Sequence, residues 1–243
     1  MRKLRLYCAA FAVCLVAPVA HAQPAPSPAA GAASPPEDNR LRWLNPVRFS
    51  PTRAFAPPPP AGSLVEELEM DQVRALIAAA SPERLRQAQW DGEHEEPAAF
   101  ADAAGRDFAQ LPATSALLQT IADEVERMVH AAKAHYQRPR PYQVDPRLPH
   151  CGTGSTTPTG YPSGHAGYGW SVAWTLAELI PERTPALLAR AQDYALSREI
   201  CGVHLASDLE ASHAAATAAV EQLLADHRLA DQLAAARAEL ARR

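Results

Sequence analysis

From Ser63 to the C-terminus, apolar side chains recur every three or four residues, with polar ones filling the positions between them. Leu117, Ile121, Val125, Met128 and Ala132 form one such line. Tyr168, Val172, Leu176 and Leu179 form a second, and Leu187, Ala191 and Tyr194 a third. That period puts each set on one face of an α-helix. Ser81-Pro82 reads as a cap followed by proline in the first turn. Ala- and Leu-rich stretches from Asp208 to about Ala225 and from Leu229 to Leu240 continue the pattern. No convincing period-two alternation and no internal repeat interrupts it. The expected fold is all-α, a single compact helical bundle over residues 57–243, and ~180 residues are enough to bury one core.

The first 56 residues follow other rules. Arg2, Lys3 and Arg5 precede a nearly apolar run from Leu6 to Ala20, and Ala20-His21-Ala22 fits a signal-peptidase site. Residues 1–22 therefore read as a cleavable signal peptide, with the mature protein expected in the periplasm. The apolar run is shorter than the ~20 residues that span a bilayer, so no stable membrane anchor is expected. Residues 23–56 read as a Pro/Ala-rich disordered lead-in and then an irregular arm, whose Trp43, Leu44, Val47 and Phe49 could lie against the core. Pro57 to Pro60 form a stiff polyproline stretch.

Charge and cysteine content narrow the function. The formal net charge is −4, and loss of the three leader cations takes it to −7. An acidic chain does not suit non-specific nucleic-acid binding, which needs basic surface to displace counterions. Cys8 and Cys14 leave with the leader. Cys151 and Cys201 remain in an exported chain, where a disulfide is expected. Such a bridge would tie the segment before His165 to the one holding His204.

Against that acidic background, three short segments collect cations and imidazoles: Lys133 with Arg140-Pro141, Pro162-Ser163-Gly164-His165, and Ser197-Arg198 with His204 and Asp208. Lys133 continues the Val125–Val129 line, and Arg198 extends the Leu187–Tyr194 stripe by one turn. A guanidinium on the core side of a helix is costly unless paired, so Arg198 needs an anionic partner. Pro139 and Pro141 hold Arg140 in extended backbone. Ser163 can cap the helix that carries Tyr168, and Gly164 lets backbone N–H groups approach a ligand, making a natural phosphate site. His204 and Asp208 lie four apart, so one carboxylate can orient the imidazole. His94-Glu95-Glu96 lacks the second histidine of a zinc-protease motif and reads as solvated surface.

Taken together, Lys133, six residues, Arg140-Pro141; Pro162-Ser163-Gly164-His165; and Ser197-Arg198, five residues, His204, three residues, Asp208 resemble the full signature of the type 2 phosphatidic acid phosphatase superfamily. Within it the chain is most similar to the class A bacterial non-specific acid phosphatases, over roughly Pro57 to the C-terminus. It departs from them at Leu205, at Ala166 and at Ser212-His213. The resemblance implies the helical fold shared with vanadium haloperoxidases and metal-free hydrolysis of small phosphomonoesters, with no cofactor. It implies His204 as nucleophile, Asp208 as its orienter and His165 as general acid. Lys133, Arg140, Ser163, Gly164 and Arg198 would hold the phosphoryl oxygens.

Three converging cations would also repel a divalent metal, so no metal ligands are assigned. They favour the neutral form of both histidines, and Asp208 counters this at His204. A mildly acidic optimum is expected. Two other readings keep the pocket: a vanadate-dependent haloperoxidase, and a phosphate binder that does not turn over. Leu229, Leu233 and Leu240 could pack on the chain's own core or make a homo-oligomer.

Overall fold

The computed structural model describes residues 40–242. The expected signal peptide, and the lead-in as far as residue 39, lie outside the described residues. Within them ten α-helices follow one another with no strand: α1 (Pro51–Ala54), α2 (Leu64–Ala79), α3 (Pro82–Glu93), α4 (Ala101–Ala104), α5 (Pro112–Tyr136), α6 (Pro141–Val144), α7 (Gly164–Leu179), α8 (Thr184–Ile200), α9 (Ala206–Leu224) and α10 (Ala230–Leu240). The all-α expectation holds. None of these helices is long and apolar enough to cross a membrane.

Local chemistry explains where the helices start. Ser81 Oγ accepts the Arg84 N–H at 3.2 Å, with Pro82 in the first turn, as the sequence predicts. Ser63 caps α2 in the same way, and Glu66 reaches back to the Gly62 N–H at 2.7 Å. Helix α5 is preceded by Leu111, which offers no capping side chain. Glu239 of α10 takes that part, accepting from the Ala113 N–H, the Thr114 N–H and the Thr114 hydroxyl at 3.2, 2.8 and 2.8 Å. Leu229 and Leu240 are buried in the main core and Leu233 packs against it. The C-terminal helix therefore docks on its own chain.

Helix α7 is buried on nearly every side and packs against α5, α8 and α9. A helix apolar all round belongs in the middle of a domain, and its N-terminus lies where the His165 segment enters. The predicted apolar lines of α5 and α8 turn inward onto it: Leu117, Ile121, Val125, Met128, Leu187, Ala191 and Tyr194 are all buried. The arm before α1 is tied to α5 by Glu124, whose Oε1 accepts the N–H groups of Arg42, Trp43 and Leu44 at 2.7–3.0 Å. Leu44, Phe49 and Phe55 are buried there. Val47, grouped with them from its apolarity, is 61% exposed. The Asn45 side chain, which accepts the Val47 and Arg48 N–H groups, turns it outward.

Cys151 and Cys201 form the expected disulfide, with Cα atoms 4.9 Å apart. The Cys151 N–H also donates to the Cys201 carbonyl at 2.9 Å. Closing a loop of this length stabilises the fold by about 4 kcal/mol in the chain-entropy model. It anchors the loop before α7 to the end of α8, three residues from His204.

Candidate active site

Helix α5 ends where Gln137 takes a left-handed conformation, φ 49°, and its N–H closes on the Lys133 carbonyl at 3.0 Å. Lys133 is thus left in the last turn, where its Nζ donates to the Thr159 carbonyl at 2.7 Å. Beyond the turn, Arg138-Pro139-Arg140 runs extended, with Arg140 at φ −78° and ψ 158°, before α6 starts at Pro141. Extended backbone sends alternate side chains to one side, so Arg138 and Arg140 reach the same region. Arg140 Nη1 lies 3.1 Å from His204 Nε2 and 3.2 Å from the Val203 carbonyl. Arg138, which the sequence reading passed over, donates to Asp208 Oδ1 at 2.8 Å and to the Ser207 hydroxyl at 2.7 Å. Its other amino group pairs with Glu69 and Glu66 of α2. The alternation in Arg-Pro-Arg-Pro was the signal that could have found it.

His204 sits in the turn before α9 and is 2% exposed. Its Nδ1 is 2.7 Å from the Gly160 carbonyl and 3.3 Å from Asp208 Oδ2. A carbonyl can only accept, so we assign the proton to Nδ1 and the lone pair to Nε2, where Arg140 Nη1 donates to it. The expected His204–Asp208 pair is present, but the Gly160 carbonyl is the nearer partner. Asp208 also accepts the Leu205 N–H at 2.7 Å, which starts α9. Gly160 was not anticipated. A Cβ there would lie 2.7 Å from the Pro139 carbonyl oxygen, so only glycine fits so close to the Arg-Pro-Arg backbone.

Ser163 caps α7 as predicted, its Oγ accepting the Ala166 N–H at 3.3 Å. It is fully buried; its N–H donates to the Asp208 carbonyl at 3.0 Å, and its own carbonyl accepts the Ser212 hydroxyl at 2.6 Å. These bonds join the start of α7 to that of α9. Gly164 and His165 line the cavity, whereas Ser163 stands behind them. His165 Nε2 is 3.1 Å from the Gly92 carbonyl and its Nδ1 is 3.4 Å from Glu95 Oε1. The expectation that residues 94–96 are merely solvated surface is therefore corrected at Glu95. The chain leaves α3 in extended conformation at His94, whose carbonyl is held by the Tyr194 hydroxyl at 2.8 Å, and this carries Glu95 over the cavity.

Arg198 is 7% exposed, and its Nε and Nη1 have no hydrogen-bond partner. It lines the same cavity of about 240 Å³ as Lys133, Arg140, Gly164, His165 and His204. The anion that the sequence demanded for this guanidinium is thus not supplied to those two nitrogens by the protein. Among the described residues, no three His, Cys, Asp or Glu side chains converge to hold a metal ion.

Burial and crowded cations shape the titration of the site. Burial, then Arg198, push His165 down to about 3. Burial and then Arg140 hold His204 well below the usual imidazole range. The same two causes bring Lys133 down to about 7. Burial pushes Asp208 up to about 6 against the pull of Arg138. These groups interact closely, so titration belongs to the set.

Gly92 serves both sides of the cavity. Its carbonyl meets His165, and a Cβ on it would lie 2.4 Å from Arg198 Nη1. The clash falls on the end of a flexible side chain, so Gly92→Ala should fold normally yet displace the guanidinium. We expect kcat/KM for a phosphomonoester to fall about 10²-fold, the scale of losing one transition-state donor, with the melting temperature little changed. Unchanged kinetics would show that Arg198 does not need its present position.

The sequence profile of the PAP2 superfamily matches residues 111–225. This chain is 34% identical over 203 residues to an acid phosphatase of Zymomonas mobilis subsp. mobilis, covering 78% of this chain and 75% of that protein. It is 29% identical to a non-specific acid phosphatase of Providencia stuartii, covering 83% and 86% of the two chains. A third relative, a non-specific acid phosphatase of Salmonella typhimurium, is 37% identical over 84 residues, about a third of each chain. On this likeness, and on the helical fold beneath it, the chain belongs to the PAP2 superfamily.

Proposed function

We propose that this PAP2-superfamily phosphatase hydrolyses small phosphomonoesters at acid pH through a phosphohistidine on His204, without a metal, and that it does so in the periplasm. The observation that carries the reading is the buried Arg198 guanidinium, unpartnered at Nε and Nη1 and lining the same cavity as His204. A cation buried in this way costs several kcal/mol unless an anion meets it. A phosphoryl group, with three oxygens to be shared among Arg198, Arg140 and Lys133, fits that need. The relatives named acid phosphatase support the same class of substrate. The leader-like residues 1–22 support export.

In the first step His204 Nε2 attacks phosphorus. The N–P bond forms as the bond to the ester oxygen breaks, and protonated His165 gives that oxygen its proton. Gly160 and Asp208 hold Nδ1–H, so they stabilise the positive charge that gathers on the ring. Neutral His165 then takes a proton from water, which attacks phosphorus and releases orthophosphate from Nε2. The three cations compensate charge throughout, which is most of what phosphoryl transfer requires.

A phosphomonoester panel with chelator and with vanadate tests the assignment. Activity should survive excess chelator and stop with vanadate, which copies the five-coordinate phosphorus. Loss of activity on chelation, restored by a divalent ion, would rule out the metal-free mechanism. Bromide oxidation dependent on vanadate and peroxide, with no ester hydrolysis, would point to haloperoxidase chemistry instead.

A further inference from the structure

Five residues on α5, Gln119, Asp123, Glu126, His130 and Lys133, recur at helical spacing and all line the catalytic cavity. One end of this stripe is cationic and the other acidic. With a rise of 1.5 Å per residue, Glu126 and Asp123 stand about 10 and 15 Å along the helix axis from Lys133. The middle of the stripe is open, with Glu126 60% and His130 46% exposed, whereas Asp123 is half-buried and His204 is 2% exposed. Glu95 reaches the cavity from α3's end, 44% exposed, and burial followed by the charge of Glu126 raises its carboxyl above the usual range. The cavity is therefore polarised, with buried cations at its floor and carboxylates at its mouth.

We infer that this site selects phosphomonoesters whose alcohol portion carries an ammonium group. The inference rests on the phosphatase reading above and names its substrate class. Buried Arg198, without a partner at two nitrogens, fixes the anionic end of the ligand at the floor. The ester's other end must then leave past Glu95, Glu126 and Asp123. Asp123 is held by Gln119, whose Nε2 donates to Oδ1 at 2.6 Å, and Glu126 lies 3.5 Å from His130. A carboxylate-bearing alcohol would meet repulsion on that path and a neutral one would meet neither force. An ammonium group would be attracted, by both contact and field focusing in the cleft.

Three esters of one length isolate the effect: hexyl phosphate, 6-aminohexyl phosphate and 6-phosphonooxyhexanoate. Their charges lie too far from the ester oxygen to change its leaving ability much. At pH 6 and low salt, kcat/KM should be at least about tenfold higher for the amine than for the carboxylate, with hexyl phosphate between. Asp123→Asn combined with Glu126→Gln should cut that ratio at least fivefold and leave hexyl phosphate within twofold of wild type. Salt near 0.5 M should shrink the wild-type ratio, since exposed charges are screened. A ratio near one in the wild type, or one unmoved by both the double variant and salt, would overturn the inference. Hexyl phosphate left intact by the wild type would instead defeat the phosphatase reading, and the inference with it.

Discussion

His204→Ala should abolish turnover, lowering kcat on p-nitrophenyl phosphate by about 10⁴-fold or more, the scale seen when a covalent nucleophile is removed. The substitution takes away the lone pair that the Gly160 and Asp208 contacts aim at the cavity, and no neighbour replaces it. Arg140, Arg198 and Lys133 remain, so orthophosphate should still bind within about tenfold of wild type. That split between lost chemistry and retained binding separates a nucleophile from a structural residue. Acid-labile phosphoenzyme, trapped by rapid quench from the wild type, should be missing from the variant. Near-normal hydrolysis of p-nitrophenyl phosphate by His204→Ala would falsify the mechanism.

His165→Ala should lower kcat by about 10²–10⁴-fold on alkyl phosphates, the range for a positioned general acid, and far less on p-nitrophenyl phosphate. An alkoxide needs a proton to leave and a nitrophenolate does not, so dependence on the leaving group is the readout. Equal losses on both esters would make His165 a positioning residue only. The pH profile follows from the same groups. His165 must be protonated, and burial with Arg198 disfavours this. A bound phosphate anion raises it again. Lys133 is cationic below about 7 and neutral above, so KM should rise as pH increases through that value. Asp208 gains its proton below about 6, which weakens its ion pair with Arg138 and its hold on His204. The wild-type rate should therefore peak under mildly acidic conditions and fall on both sides. A rate rising steadily into alkaline pH would contradict these assignments.

The helical period located α5 and α8 because each has an apolar stripe whose burial depends on local spacing. Ser81 and Ser163 marked helix starts because a capping hydroxyl acts within three residues of itself. Val47 was misplaced because apolarity alone does not say which way a turn faces. Glu95 was misjudged for a related reason: its surroundings come from α5, α7 and α8, not from His94 or Glu96.

Order and type of residue along the chain were enough to assign a helical fold and to name Lys133, Arg140, His165, Arg198, His204 and Asp208 as candidates, since each motif is a short local pattern. Folding alone determined which ring nitrogen of His204 carries the lone pair, because that rests on the Gly160 carbonyl, 44 residues away. The same holds for Arg138 behind Asp208, Gly92 between His165 and Arg198, and the acidic mouth opposite a basic floor. Each is made by groups distant in sequence that share one small, partly dry volume, where a contact of 3 Å decides charge and proton position.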